Sequence, residues 1–263
     1  MFKLKLVLED GSEHSGVSFG KLKESSGEVV FTTGMMGYPE SLTDPSYKGQ
    51  ILVLTYPLQG NYGVPEMLKQ QGVVQHFESD RIHLSGLIVS EYSDTYSHWT
   101  AKKSLGEWLD EHEIPAITGI DTRMLTKKLR EKGAMMGRIV AVTNDKKEAF
   151  EDPNERNLVA EVSCKEPIIY PAGKKKVILI DTGVKENIIR SLLKRDVTVV
   201  RVPWDYDFFE DPELKKFHGL LFANGPGDPK KAKKTIELME YALEHQSKPI
   251  LGICLGTQIM ALG

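Results

Sequence analysis

Near its start the chain alternates Phe2, Leu4, Leu6 and Leu8 with Lys3, Lys5 and Val7, which predicts a strand with one apolar face. Asp10-Gly11 predicts a hairpin turn into a second strand over residues 16–19. β-rich runs predict further strands over 28–33, 51–56 and 84–90, with a loop rich in Gly, Pro and Asp from Gly34 to Tyr47. Ser104 and Glu107 have capping-box spacing ahead of a short helix whose inner stripe is Leu105, Trp108 and Leu109. Asp121 caps a second predicted helix over 122–132, with Leu125 and Leu129 inward, basic last turns and Gly133 as its stop. A strand over 138–142 closes this half.

Between residues 143 and 176 the periodicity weakens. Asp152-Pro153-Asn154 and Pro171-Ala172-Gly173 read as linker, with a short helix near 157–162. After Lys176 strand and helix patterns alternate. Strands are predicted over 177–181, 197–202, 219–223 and 249–253, and helices around Val184–Leu193 and over 232–244. The expected fold class is α/β: a β-rich α+β domain over 1–145, a linker over 146–175, and the opening of a doubly wound parallel sheet over 176–263.

A net charge of −3 offers no basic footprint for nucleic acid. The two cysteines, ninety positions apart, make neither a disulfide framework nor a zinc spacing, so no metal is expected. The start does not resemble a signal peptide and no apolar run is long enough for a bilayer, which leaves a soluble cytoplasmic protein as the expectation.

The chemistry is concentrated near residue 254. Pro249-Ile250-Leu251-Gly252-Ile253 is a buried-strand run, and 255–262 can begin a helix, so Cys254 falls on the turn between them with a glycine two residues to each side. That is the Gly-x-nucleophile-x-Gly elbow, in which close packing excludes side chains at the flanking positions. The start of the next helix has N–H groups without partners, and the amide of Leu255 is placed to bind an oxyanion. The loop Asn224-Gly225-Pro226-Gly227-Asp228-Pro229 ends a neighbouring strand at the same sheet edge, where sites of such folds form. Cys164 lies outside any such turn and reads as an incidental thiol.

Gly252-Ile253-Cys254-Leu255-Gly256-x-Gln258, preceded by Asn224 to Pro229, resembles a class I (triad) glutamine amidotransferase. Thr32-Thr33-Gly34-Met35-x-Gly37-Tyr38, Leu42-Thr43-Asp44-Pro45-Ser46-Tyr47 and Gly119-Ile120-Asp121-Thr122-Arg123-x-Leu125-Thr126 narrow the likeness. They resemble the small, glutamine-hydrolysing subunit of carbamoyl phosphate synthetase. The resemblance implies that Cys254 attacks the side-chain amide of L-glutamine and forms a thioester. It implies that Leu255 and Gly225 form the oxyanion hole, and that Ser46, Gly225, Gly227, Leu255 and Gln258 hold the glutamine. Because Ser46 falls in the N-terminal half, the site is expected at a domain interface. The ammonia would pass to a large synthetase subunit as a heterodimer partner. ATP and Mg would serve that subunit, and this chain would need no cofactor. The sequence leaves open whether the product feeds pyrimidine or arginine synthesis.

Thr257 stands where the family commonly has His. The catalytic His and Glu of the family lie well beyond the nucleophile, and none of the seven histidines here fits that role. The chain is therefore expected to be the family's chain cut short, inactive by itself and with an apolar sheet edge exposed. Two other readings stay open: a cysteine α/β-hydrolase, which would need Asp and His on later strands, and a docking module without chemistry.

Overall fold

A computed structural model describes residues 2–144 and 149–263, which divide into two compact units. The first comprises residues up to 43, 49–67 and 81–153; the second comprises 44–48, 68–80 and 154–263.

The first unit is built on a closed seven-stranded barrel. Its strands are β1 (Lys3–Leu8), β2 (Glu13–Ser18), β3 (Ser25–Thr32), β4 (Gln50–Leu54), β5 (Gly86–Ile88), β6 (Ala116–Thr118) and β7 (Met135–Ala141), paired in the order β1-β7-β3-β4-β5-β6-β2. Leu4, Leu6 and Leu8 are buried with Val29, Ile51, Ile88, Ile117 and Ile139, so the alternation read from the first residues marks the interior face. Each such side chain contributes about 1.5–3 kcal/mol on leaving water. Phe2, the first residue of that alternation, is exposed instead. Two short helices, α1 (Tyr38–Leu42) and α2 (Leu105–Glu111), follow in the chain. The predicted capping box forms at α2: Ser104 Oγ accepts from Glu107 N and Glu107 Oε2 from Ser104 N. α3 (Thr122–Lys132) is capped by Asp121 and lays Leu125 and Leu129 on the barrel core.

The second unit holds a five-stranded sheet. β8 (Ile168–Tyr170), β9 (Lys175–Asp181), β10 (Val197–Pro203), β11 (Gly219–Phe222) and β12 (Ile250–Gly252) run in the order β8-β10-β9-β11-β12. All pairs are parallel except β8 with β10. Alternate residues serve opposite faces. Ile178, Ile180, Val200, Val202, Leu220 and Phe222 pack with α6 (Lys233–His245) and α7 (Leu255–Met260). Leu179, Val199 and Leu221 pack with Val184 and with Ile189 of α5 (Glu186–Leu193). That two-sided burial is what nearly continuous apolar strands require. β12 is an edge, and Leu251 on it is 56% exposed.

Two sequence readings are revised. The short helix expected near 157–162 forms as α4 (Leu158–Val162), but the stretch expected as linker also contributes the edge strand β8; the expected boundary at residues 145–146 lies outside the described residues. Ser46, expected from the N-terminal domain, belongs with residues 44–48 to the second unit. The physical reason is local bonding: Lys185 pairs with Asp44 at 2.6 Å, Lys48 with Glu161 at 3.6 Å, and Asn224 donates to Ser46.

Candidate active site

Three chain segments meet at the carboxyl ends of β9, β11 and β12. At β9, Asp181 is fully buried. Its Oδ1 accepts from the N–H groups of Gly183 and Val184 at 3.0 and 2.9 Å. Its Oδ2 takes Arg201 Nε at 2.7 Å and the Cys164 N–H at 2.7 Å. A carboxylate carrying that many donors is a rigid post beneath the site. Cys164 is engaged here through its backbone, and burial pushes its thiol up to about 12, which keeps it protonated and inert.

At β11 the chain turns through 223–228. Thr182 Oγ1 donates to the carbonyl oxygens of Ala223 and Asn224 at 2.9 and 3.0 Å, which ties this loop to β9. Gly225 fits against that crossing: a Cβ there would lie 2.0 Å from Thr182 O and 2.8 Å from Leu255 Cδ2. Gly225 is therefore adjacent to the Leu255 side chain. Gly227 has φ +80°, the left-handed region that glycine enters at no steric cost, and its Cα faces Leu158 of α4. Asp228 caps the turn Pro229–Lys231.

At β12 the strand passes into α7 through Cys254. Ile253 N donates to Phe222 O and Gly256 N to Ala223 O, both at 3.0 Å, so the turn is fastened to the end of β11. A Cβ on Gly256 would lie 2.2 Å from Phe222 O, and one on Gly252 would lie 2.6 Å from Gly256 C. Both glycines are thus required by close backbone approach. Cys254 itself has φ +51° and ψ −106° and is exposed. A non-glycine residue held there stores roughly 1–3 kcal/mol of strain. Thr257 Oγ1 donates to Gly252 O at 2.9 Å and so braces the turn from within. Gln258, one helical turn beyond Cys254, is exposed as Cys254 is.

Among the described residues the N–H groups of Leu255 and Gly225 have no protein acceptor. The structure brings Gly225 against the side chain of Leu255, the residue after Cys254, with Ser46 bonded to Asn224 of the same loop, while Gly227 lies against Leu158. No described histidine is bonded to Cys254: His218 Nδ1 accepts from Lys176 N, and His245 stacks on Tyr241. The sequence reading missed Asp181, Thr182 and Lys185 as supports. Their only signal is position, at or just beyond the end of an apolar strand. Among the described residues no helix is long and apolar enough to cross a membrane.

Residues 178–263 match the family model for glutamine amidotransferase class-I, so the parallel-sheet unit with its Cys254 turn is of that class. Residues 6–139 match the model for the carbamoyl-phosphate synthase small chain, CPSase domain. The chain belongs to the carbamoyl-phosphate synthase small-chain family, with its glutamine amidotransferase portion following the CPSase domain.

It is 51% identical over 261 residues to multifunctional protein CAD of Squalus acanthias, covering 98% of this chain and 12% of that protein. Against multifunctional protein URA2 of Saccharomyces cerevisiae the identity is 45% over 290 residues, covering 97% and 13%. Against mitochondrial carbamoyl-phosphate synthase [ammonia] of Homo sapiens it is 46% over 261 residues, covering 98% and 17%. The chain spans between 12% and 17% of the length of these relatives.

Proposed function

We propose that this chain hydrolyses glutamine and delivers the ammonia to a carbamoyl-phosphate synthetase portion, fused to it or paired with it. The observation that carries the reading is the exposed, backbone-strained Cys254 on a strand–turn–helix junction, followed by Leu255, whose N–H has no protein acceptor among the described residues and whose side chain meets Gly225. The strained strand–turn–helix backbone at Cys254 supports reading this junction as a nucleophile elbow. In the proposed reaction Cys254 Sγ attacks the carboxamide carbon of glutamine and its thiol proton passes to a base. The carbonyl oxygen becomes an oxyanion held by the N–H groups of Leu255 and Gly225. The C–N bond then breaks, the nitrogen leaves as ammonia after gaining a proton, and a glutamyl thioester remains. Water attacks the thioester, releasing glutamate and restoring the thiol. Gln258, Gly227 and Ser46 hold the amino acid.

A general base and acid are required. Among the described residues no histidine is bonded to Cys254, so neither role is assigned to a residue described above. Some relatives are named for ammonia, and an elbow carrying Cys254 supports glutamine as the nitrogen source for this chain. The test is carbamoyl phosphate synthesis by the natural protein with its synthetase portion, with either glutamine or ammonium supplied. Cys254→Ser should abolish the glutamine-dependent rate and spare the ammonium-dependent one. Equal glutamine-dependent rates in both proteins would refute the reading.

A further inference from the structure

Asn224 is 3% exposed, and both hydrogens and the oxygen of its side-chain amide are engaged. Nδ2 donates to Gly183 O and to Ser46 Oγ, each at 2.9 Å, and Oδ1 accepts from Lys185 N at 3.1 Å. Turning the amide over would set its NH2 against the Lys185 N–H and its oxygen against the Gly183 carbonyl, so only one orientation is satisfied. In that orientation Ser46 Oγ is an acceptor toward Asn224. Among the described residues the Ser46 hydroxyl proton has no protein acceptor. The serine backbone is fixed separately, by Ser46 N donating to Asp44 Oδ1 at 2.9 Å.

We propose that Asn224 is a positioning residue for glutamine binding. It directs the proton of Ser46 away from the protein, so that Ser46 donates to an acceptor oxygen of the bound amino acid. This assignment rests on the glutaminase reading above and concerns a residue that touches no reacting atom. Through its backbone the same residue leads into Gly225, which ties the ligand contact to the loop carrying a proposed oxyanion donor. An isosteric Asn224→Asp change keeps the size and the acceptor for Lys185 N–H. It turns the partner of Ser46 from a donor into an acceptor, which draws the serine proton inward.

The experiment measures glutamine hydrolysis by the natural protein with its synthetase portion, comparing Ser46→Ala, Asn224→Ala, Asn224→Asp and each Asn224 variant combined with Ser46→Ala. Ammonium-dependent synthesis reports on folding. The expected result is a KM for glutamine raised about five- to tenfold by either Asn224 variant, the size of one lost hydrogen bond, with kcat within about twofold. In the Ser46→Ala background the same changes should add less than about twofold, because their shared partner is gone. Effects that multiply in the double variants, or that fall on kcat alone, overturn the assignment. If Asn224→Ala fails to fold, the Asn224→Asp pair decides on the same criteria. A wild-type protein that ignores glutamine overturns the glutaminase reading, and the assignment with it. A wild-type protein that hydrolyses glutamine while the effects multiply overturns the assignment alone.

Discussion

Replacing Gly225 with alanine puts a methyl carbon 2.0 Å from the Thr182 carbonyl oxygen and 2.8 Å from Leu255 Cδ2. Real contacts of this kind essentially never fall below 3.0 Å, so something must move by about 1 Å. Thr182 cannot yield easily, since its hydroxyl is bonded to both Ala223 and Asn224 carbonyls and it directly follows β9, the central strand of the sheet. The 225 loop is therefore the part displaced, and with it the N–H proposed to hold the oxyanion. Loss of one such donor costs about 10²–10³ in kcat, and a misplacement of about 1 Å can cost about 10². The overpacking itself should cost about 1–3 kcal/mol of stability. Steady-state glutamine hydrolysis, with a denaturant melt of the same sample, separates the two effects. A folded Gly225→Ala protein with kcat within about threefold of wild type would refute the placement of this N–H at the developing charge.

Other consequences are equally open to measurement. Arg201→Met leaves the fully buried Asp181 carboxylate without its 2.6 Å ion-pair partner and should cost about 3–5 kcal/mol in urea unfolding. A loss under about 1 kcal/mol would show that the backbone donors to Asp181 suffice. Glu186 accepts from Val74 N at 2.5 Å and is held above the ordinary 4.5, by burial first, against the opposing pull of that bond, Arg201 and Arg190 and with a small push from Asp80. A raised value means that the folded protein keeps a proton which the unfolded chain releases. Its contribution is therefore present below about pH 4.5 and lost as pH rises through the folded value. Glu186→Gln, which retains the acceptor for Val74, should gain stability relative to wild type as pH rises above about 4.5. A pH-independent difference between the two proteins would contradict the burial argument.

How far the chain could be read before its structure differs from element to element. Alternation at Leu4, Leu6 and Leu8 located the barrel interior because these three side chains fill it, while Lys3, Lys5 and Val7 lie on the other face of β1. β6 and β8 were not legible. Each is three residues long, too short for a period, and each owes its form to the strand beside it. In β8 this is plain, since Ile168 and Ile169 are 38% and 60% exposed and β10 alone orders them. β2 was placed late, over 16–19, because Glu13-His14-Ser15 carries no apolar signal and is held by its pairing with β1.

The glycines around Cys254 announced themselves for a steric reason, each being a place where backbone meets backbone. Supports such as Thr182 and Lys185 carry no such mark, because an amide or hydroxyl that ties two loops together has no spacing rule. Ser46 shows the limit of reading by position. It stands early in the chain, yet Asp44, Lys185 and Asn224 hold its loop in the second unit.

The most direct test is covalent labelling with a glutamine analogue that carries an electrophilic ketone in place of the carboxamide, followed by peptide mapping of the natural protein. The chain holds two cysteines, one exposed on a strained turn and one with its thiol pushed up to about 12 by burial. The expected result is one adduct, on Cys254, suppressed by added glutamine. Label on Cys164, or an unlabelled Cys254 in protein that still hydrolyses glutamine, would contradict the assignment of Cys254 as nucleophile.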